Sequence, residues 1–305
     1  MAPDGTPWSK SLEVYKKRIE SVTSGRVKIK VFLGGVLGDE TQTSQELRRG
    51  ALGAWAGSLG ALATSVPELG VLDLPYLFRS EAEADFILDE VVHDDLAKLL
   101  EKRGFVLAAW GENGYRGFGT KFGPVRTPAA LKGHKMRSQE SRVHLETYRV
   151  LGALPQPISV TEALSALQTG VVDGFDNTPV FAFAANWHQG ITDFTLTNHI
   201  YQPAAILLSK KELDRWPAEL RAIVLASEQR ELARQARVAV RELLPLLLQN
   251  LENANVKVHR LSEAERDAFA RATLPVHERF LKMVPTARPL YEKIKKALAL
   301  RRSKG

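Results

Sequence analysis

The feature that most constrains this chain is an alternation of helical and strand-like hydrophobic patterns along most of its length. After Thr6-Pro7, a pair typical of a helix start, apolar residues recur at spacings of three and four from Trp8 to Val22. Residues 27–31 then alternate apolar and charged side chains, which predicts a half-buried strand. Helices and strands that follow one another in this way predict an α/β protein.

The same reading predicts most of the remaining elements. Capping-box matches at Ser80 and Ser262 predict helices that start there, the first running towards Arg103. Further helices are predicted at 40–49, 142–151 and 161–170, with a short helix that starts at Thr127-Pro128, and further strands at 105–110, 135–137 and 256–258. These elements cover both halves of the chain.

A nearly continuous helical pattern between Trp216 and Asn253 is long enough to bridge two lobes. Pro245 is expected to bend or break it, because proline lacks the amide that an inner helical turn requires. The 305 residues are enough for two lobes, and the chain has neither an internal repeat nor a low-complexity linker. We therefore expect lobes formed by the chain crossing back and forth.

Composition excludes several classes of protein. No apolar run reaches the roughly 20 residues that a membrane-spanning helix needs. The absence of cysteine excludes disulfides and thiolate chemistry, and it fits an oxidising compartment. Much of the net charge of +7 lies in the C-terminal tail, where it is typical of a solvated helix end. No nucleic-acid-binding module accompanies the charge, so no nucleic-acid partner is predicted.

Motifs for catalysis, nucleotides or metals are also missing from the sequence. The glycines near 34–38 and 114–119 match neither a dinucleotide fingerprint nor a P-loop. The seven histidines lack metal-ligand spacing. Glu162, Asp173 and Asp176 could be considered as an acid/base pair, but no nucleophile motif accompanies them. The sequence therefore predicts no catalytic residue, no cofactor and no metal.

Two arginines stand out instead. Arg116 follows Asn113-Gly114, and Arg137 follows a strand-like segment after Leu131-Lys132-Gly133. Side chains at the carboxyl ends of strands tend to point into a crevice. A guanidinium fork can bind a carboxylate through two parallel charge-assisted hydrogen bonds, which a lysine cannot do. Taken separately, each arginine is also compatible with a surface ion pair.

Six segments in order support a more specific interpretation. They are Leu37 to Glu40, Ala51 to Gly57, Leu69 to Phe78, Leu131 to Arg137, Val172 to Asn177 and Leu196 to His199. Over essentially the whole chain, they resemble the extracytoplasmic solute receptors of tripartite ATP-independent periplasmic (TRAP) transporters, the DctP family. The resemblance implies a periplasmic-binding-protein-like fold, with two α/β lobes around a ligand cleft, hinge strands and a long lobe-spanning helix. The predicted lobes are 1–113 with about 203–241, and 114–202 with about 242–305.

The resemblance also implies roles for individual residues. Arg137 matches the arginine that forms a salt bridge with the ligand carboxylate, and Arg116 matches a second, assisting arginine. Asn177 matches an asparagine that orients the first arginine or the ligand. The remaining expected ligand contacts are Glu40, Trp55, Ser58, Glu140, Val160 and Phe175, with Trp187 as a further candidate for an apolar wall.

Departures from the sugar-acid receptors of the family bear on the ligand. Gly57-Ser58 stand where those receptors carry an acidic residue, Glu140 where an amide is expected, and Val160 where an aromatic ring can pack on the ligand. A sugar acid with many hydroxyls would leave more polar groups unpaired here, at roughly 1 to 3 kcal/mol each. We therefore expect a simpler organic acid.

The predicted function is that of a periplasmic receptor that hands a carboxylate to membrane permease subunits for ion-gradient-driven uptake. Two alternatives remain, a carrier of a hydrophobic or aromatic ligand with the same fold, and an enzyme that uses the cleft. The sequence as given shows no signal peptide. By the resemblance, we expect the first strand of the N-terminal lobe to be missing from it, leaving a gap or an exposed sheet edge.

Overall fold

A computed structural model describes residues 2–303, apart from the side chains of residues 227–229. Fifteen α-helices and nine strands are present in this part of the chain. The helices are α1 Pro7–Val22, α2 Glu40–Arg49, α3 Leu59–Leu62, α4 Glu81–Phe86, α5 His93–Lys102, α6 Arg142–Val150, α7 Ala163–Gln168, α8 Pro179–Ala184, α9 Lys210–Leu213, α10 Ala218–Val224, α11 Ser227–Glu242, α12 Leu244–Asn253, α13 Glu263–Thr273, α14 Pro275–Met283 and α15 Arg288–Arg302. The strands are β1 Ala54–Ser58, β2 Phe105–Tyr115, β3 Gly117–Thr120, β4 Lys135–Ser138, β5 Leu154–Pro157, β6 Gly174–Asn177, β7 Asp193–Leu196, β8 Tyr201–Ser209 and β9 Lys257–Arg260.

Two sheets form the framework. The first has the order β1-β8-β2, with both neighbouring pairs antiparallel. The second has the order β5-β4-β6-β3-β7-β9 and is mixed, since β4 runs parallel to β5 and β6 while β3 runs antiparallel to β6 and β7. With helices packed around them, the sheets confirm the predicted α/β class.

The chain passes between the sheets at two adjacent places. Strand β2 leads directly into β3 through Arg116, and the segment after β7 leads back into β8. The two crossings touch each other, because the amide of Arg116 donates a hydrogen bond of 2.9 Å to the carbonyl of Ile200. Residues at these crossings therefore lie between the two halves of the molecule.

The predicted helix over 216–253 is three helices rather than one. Pro245 lies in the first turn of α12, immediately after α11 ends, so the predicted break occurs there. Helix α11 packs on α1 and β2 of the first half, whereas α12 packs on α8 and β9 of the second. The helical segment therefore still connects both halves.

The hydrophobic clusters are also arranged around the two sheets. Alternation along the strands sends side chains of the second sheet to two opposite faces. Phe175 and Phe194 lie in the hydrophobic cluster on one face, and Phe118 and Met136 lie in the cluster on the other. The largest cluster lies against the first sheet and also receives Phe280 and Ile294 from the C-terminal helices. The predicted lobe boundaries assign those helices to the second lobe. The lobe boundaries stay a prediction.

Two local expectations differ from the structure. The strand prediction for 27–31 is wrong, because these residues belong to no sheet in the described part of the chain. The helix predicted from 80 to 103 is interrupted by a π-helical turn at Ile87–Val91. Residues 2–6 form a turn before α1 and are not part of a strand. No helix in residues 2–303 is long and apolar enough to span a bilayer.

Candidate functional site

Arg137 is held on the second sheet with part of its guanidinium unused. In β4 its neighbour Met136 faces a hydrophobic cluster, so alternation turns Arg137 to the opposite face. There the guanidinium carbon lies 4.9 Å above the ring of Trp187, and Nε donates a 2.9 Å hydrogen bond to the carbonyl of Ile158. Nη1 is buried and has no hydrogen-bond partner among residues 2–303. An unpaired buried donor is costly, so this nitrogen is suited to an external acceptor.

The electrostatic surroundings of Arg137 also favour an external anionic partner. The side chain is only 2% exposed, and no carboxylate of the described chain lies within 4 Å of it. Burial and then the positive charge of Arg116 lower the pKa of Arg137 to about 10, with Asp176 acting in the opposite direction. Arg137 remains a cation at neutral pH without an ion-pair partner among the described residues, and an anionic ligand would supply one.

Arg116 is equally buried but fully engaged within the protein. Nε donates to Asp176 Oδ2 at 2.6 Å, and Nη2 donates to the backbone carbonyl of Asp176 at 2.5 Å. Nη1 donates to Gln202 at 2.6 Å and to Asn177 at 3.4 Å. The guanidinium therefore joins the last residues of β6 to β8 of the first sheet.

Asp176 is the centre of a buried charged cluster. Its Oδ1 accepts a 2.9 Å hydrogen bond from Tyr148, and the rings of His144 and His199 approach its Oδ2 to 3.5 Å. Burial disfavours the ionised carboxylate, but the charge of Arg116 and the two histidines hold the pKa of Asp176 well below its usual range. The Tyr148 hydroxyl also lies 3.2 Å from the backbone carbonyl of Arg137 and shares its single hydrogen between the two acceptors, so the cluster supports the strand that carries Arg137.

His144 extends this cluster to the first half of the molecule. Its Nε2 lies 3.0 Å from Asp73 Oδ2, at the end of the 3-10 helix Pro67–Asp73. Burial and Arg116 oppose protonation, yet Asp176 and Asp73 raise the pKa of His144 above its ordinary value. Burial instead lowers the pKa of His199. Sequence spacing alone had not connected these residues to Arg116.

Glu40 and Ser58 lie together on the first-sheet side of the cleft. Ser58 donates to Glu40 through its hydroxyl at 2.6 Å and through its amide at 3.1 Å. From the other side, Gln139 Nε2 donates to the Ser58 hydroxyl at 3.2 Å. Because Gln139 follows Arg137 by two residues, this contact ties the arginine-bearing segment to β1.

Gln139 and Gln202 are two site residues that the sequence analysis missed. Gln202 Nε2 donates to Gln139 Oε1 at 2.6 Å, and Gln202 Oε1 accepts from Arg116 at 2.6 Å and from Asn113 at 3.1 Å. Strand alternation from Arg137 could have identified Gln139, because i and i+2 share a face. No local signal marks Gln202, whose partners are 63 to 89 residues away.

A cavity opens beside Arg137 between the two halves. Its walls include Glu40, Gln139, Glu140 and Val160, and Asp39 adds a further carboxylate. Glu140 accepts a 3.2 Å hydrogen bond from the Thr41 hydroxyl, so it too reaches across to the first half. The structure therefore brings together four of the predicted contacts, counting Arg137 with Glu40, Glu140 and Val160.

The other predicted contacts lie behind or beside this cavity. Trp55 is packed in the largest hydrophobic cluster and donates through Nε1 to Thr43 at 3.1 Å. Phe175 is fully buried, in edge-on contact with Trp187. Neither ring lines the cavity next to Arg137, because both are buried in hydrophobic clusters. Their assignment as ligand contacts stays a prediction, as do those of Arg116, Asn177 and Ser58.

A second, mostly apolar cavity lies between the first sheet and helices α1 and α11. Trp8, Trp110 and Phe181 line it, and Glu40 also contributes to its wall. The residues that the structure describes include no group of three or more His, Asp or Glu arranged to hold a metal ion.

Comparison with known proteins places this geometry in a family. The family model named DctP, bacterial extracellular solute-binding protein, family 7, matches residues 1–283. The C4-dicarboxylate-binding periplasmic protein DctP of Rhodobacter capsulatus is 30% identical over 280 residues, covering 91% of this chain and 83% of that protein.

Solved structures give the same result. A TRAP periplasmic solute binding protein from Sulfitobacter sp. NAS-14.1 with bound β-D-galacturonate superposes with a TM-score of 0.92 at 26% identity, covering 97% of both chains. One from Ralstonia eutropha H16 with bound (S)-2-acetolactate has a TM-score of 0.88 at 30% identity, covering 97% of this chain and 96% of that chain. From its sequence match and its fold, the chain belongs to the DctP family of bacterial extracellular solute-binding proteins.

Proposed function

We propose that this protein is a periplasmic receptor that binds a small organic acid in its cleft and delivers it to the membrane subunits of a TRAP transporter. The observation that carries the proposal is Arg137, a buried guanidinium whose Nη1 has no acceptor within the described chain. A ligand carboxylate would give that nitrogen a charge-assisted hydrogen bond and the guanidinium a counter-ion.

Family membership supports the remainder of the proposal. Relatives of this chain are named as periplasmic binding proteins, and related TRAP receptors hold galacturonate or acetolactate, both of which carry a carboxylate. We assign the chain to the periplasm and the permease as its partner on the same grounds. Binding requires no covalent step, because closure of two lobes on a ligand is a shift between conformational populations.

Within this function, we propose different roles for the site residues. Arg137 binds the carboxylate, and Trp187 below it fixes the plane of the guanidinium. Arg116 holds Asp176, Asn177 and Gln202 in place. The contacts of Gln139 with Ser58 and of Glu140 with Thr41 join the two sides of the cleft.

Ligand identification followed by calorimetry tests the proposal. Mass spectrometry of small molecules released from freshly purified protein should detect an organic acid. Titration of ligand-free protein with that acid should show binding that Arg137→Ala weakens by about 2 to 5 kcal/mol, more than tenfold in affinity. Arg142→Ala, which removes an exposed arginine of α6, should bind normally. Unchanged affinity in a folded Arg137→Ala protein would overturn the proposal.

The apolar cavity lined by Trp8, Trp110 and Phe181 is the observation that favours the alternative ligand class. A carrier of an apolar molecule would bind it there, with little contribution from Arg137. The same mass spectrometry separates the two functions, because an apolar ligand without a carboxylate would appear in place of an acid. Normal affinity of Arg137→Ala for that ligand would then support the carrier.

A further inference from the structure

A cavity of about 300 Å³ lies where the chain passes between the two halves, and it shares no lining residue with the cavity beside Arg137. Three connections between the halves contribute to its wall. Gly114 and Tyr115 come from the crossing that joins β2 to β3, and Asn198 comes from the crossing that joins β7 to β8. Leu244 comes from the junction of α11 and α12. We call this space the crossing cavity, and a molecule in it would contact the segments that join the halves.

The arginines that line the crossing cavity differ in their pairing. Arg241 is neutralised by Glu112 and by a carboxylate of α4 that a second arginine of α11 also contacts. Arg260 and Arg266 have no carboxylate within 4 Å among the described residues. Glu81 is the one acid of the wall that is likewise unpaired in the described chain. Two unpaired arginines against one unpaired acid leave this wall with an excess of positive charge.

Both unpaired arginines lie beside the β7–β8 crossing. Arg260 ends β9 and is in register with Leu196, the last residue of β7. Burial raises the pKa of Tyr76, whose hydroxyl donates to the Thr197 carbonyl at 3.1 Å, and the nearby charge of Arg266 opposes that rise. The two guanidinium groups can therefore reach one ligand. Two arginine forks suit the several oxygens of a phosphate better than the two oxygens of a carboxylate.

Apolar side chains form a second part of the wall. They belong to Val180, Leu196, Val240, Leu244 and Leu261. Covering them with an apolar group is favourable, because it removes their surface from water. The volume lies at the lower end of the range for small-molecule sites, which leaves room for more than a phosphate ion.

We propose that the crossing cavity binds a small phosphate monoester with an apolar group, and that its occupancy favours a closed cleft. Arg260 and Arg266 bind the phosphate, and the apolar side chains contact the remainder of the molecule. The cavity is present in the same conformation in which Gln139 contacts Ser58 across the cleft. An occupant that contacts both halves therefore stabilises this bridged conformation, and linkage then requires a cleft ligand and the ester to strengthen each other's binding.

Three compounds separate the contribution of charge from that of apolar contact. Phenyl phosphate carries both groups, inorganic phosphate lacks the ring, and phenol lacks the charge. Calorimetric titration of the ligand-free protein at low salt should show phenyl phosphate binding about tenfold or more tightly than either of the others. Equal affinity for inorganic phosphate would overturn the assignment of an apolar group. Phenyl phosphate that fails to bind at millimolar concentration would overturn the site.

Variants of the wall locate the bound phosphate. Arg260→Gln and Arg266→Gln should each weaken phenyl phosphate binding about tenfold, and Glu81→Gln should strengthen it. Arg271→Gln, which removes an exposed arginine of α13 outside the cavity, should bind normally. Arg137→Ala should also bind phenyl phosphate normally. Unchanged binding in both wall-arginine variants, or binding lost in Arg137→Ala, would place the compound elsewhere and overturn the inference.

A lipid headgroup is the other source of a phosphate monoester. Vesicles containing phosphatidate should not sediment the protein, because the crossing cavity has room for a small molecule only. Sedimentation that phenyl phosphate reverses would assign the site to a membrane surface and overturn the assignment to a free ester.

Spin labels test the effect on the cleft without any cleft ligand. The chain has no cysteine, so Arg48→Cys on α2 and Thr161→Cys before α7 place labels only at two exposed positions in opposite halves. Phenyl phosphate should shift the distance distribution towards the shorter distances, and Arg266→Gln should abolish the shift. An unchanged distribution at saturating phenyl phosphate would overturn the coupling. None of these measurements depends on an organic acid, so their failure leaves the proposed function intact.

Discussion

Arg116 and Arg137 occupy comparable positions but have opposite surroundings. Arg116 lies between strands β2 and β3, Arg137 lies in strand β4, and each is at most 2% exposed. All three nitrogens of the Arg116 guanidinium donate to protein acceptors, including the carboxylate of Asp176. Arg137 uses Nε alone for a backbone carbonyl and leaves Nη1 buried without an acceptor in the described chain. Burial therefore does not distinguish a structural arginine from a binding arginine, whereas the pairing of its donors does.

The largest effect on stability should come from Arg116→Met. The substitution leaves the carboxylate of Asp176 buried without its main partner, and breaking a buried ion pair costs about 3 to 5 kcal/mol. Urea denaturation without ligand should show this loss in the free energy of unfolding. Arg142→Met, an exposed control on α6, should change it by less than about 0.5 kcal/mol. A stable Arg116→Met protein would show that the network around Asp176 is dispensable.

Trp187→Leu tests how the surroundings of Arg137 contribute to ligand affinity. The ring lies under the Arg137 guanidinium, and a desolvated cation–π contact contributes about 2 kcal/mol, so ligand affinity should fall about tenfold or more. Phe194→Leu is the matched control, because Phe194 packs in the same cluster on β7, a strand that does not pair with β4. Both variants should lose stability, but only Trp187→Leu should lose affinity beyond that of its control. Equal affinities in calorimetry would remove Trp187 from the site.

Gln139→Ala should have a smaller effect on affinity. It removes the hydrogen bonds to Ser58 and Gln202 that join the two sides of the cleft, and a typical hydrogen bond contributes about 1 kcal/mol, or roughly fivefold in binding. The loss should appear mainly as faster ligand dissociation in stopped-flow measurements. Thr41→Val, which removes the exposed contact with Glu140, serves as the comparison and should change the rate less. Dissociation at the original rate in Gln139→Ala would argue against a role in closure.

The smallest expected effect is on the pH dependence of the unfolding free energy, which should report on the buried cluster around Asp176. The folded-state pKa of His144 lies above the ordinary value of 6.5, so its protonated ring stabilises the fold fully below pH 6.5. That contribution is lost as the pH rises through the folded-state pKa. His144→Gln should therefore flatten the decline of unfolding free energy on the alkaline side of pH 6.5, measured by urea denaturation. His134→Gln, which contacts neither Asp73 nor Asp176, should keep the decline. An unchanged profile in His144→Gln would show that this histidine does not titrate there.

Much of the local structure could be predicted from the sequence. The caps at Thr6 and Ser262 and the helix from Glu40 to Arg49 occur where their patterns indicate, because capping depends on residues within one turn. The segment at 27–31 has the alternation of a strand but no neighbour to pair with in the described residues. An alternating pattern shows that a segment can form a strand, but a sheet also requires a second strand to pair with it.

The site could be predicted only in part, for a related reason. Arg137, Glu40 and Glu140 were marked by the resemblance of their segments, and the structure brings them to one cavity. What distinguishes Arg137 from Arg116 is the pairing of their donors. Those partners, such as Gln202, lie 60 residues or more away along the chain, where periodicity carries no information.

The most direct test of the account measures stability and ligand response in the same two variants. The thermal midpoint of Arg137→Met without ligand should stay close to that of the unmodified protein, because the substitution removes an unpaired buried charge. The rise in midpoint that the organic acid produces should disappear in this variant. Arg116→Met should show the reverse, a lower midpoint with a ligand-induced rise that persists wherever the variant folds. A ligand-induced rise of normal size in Arg137→Met would contradict the central claim that Arg137 binds the carboxylate.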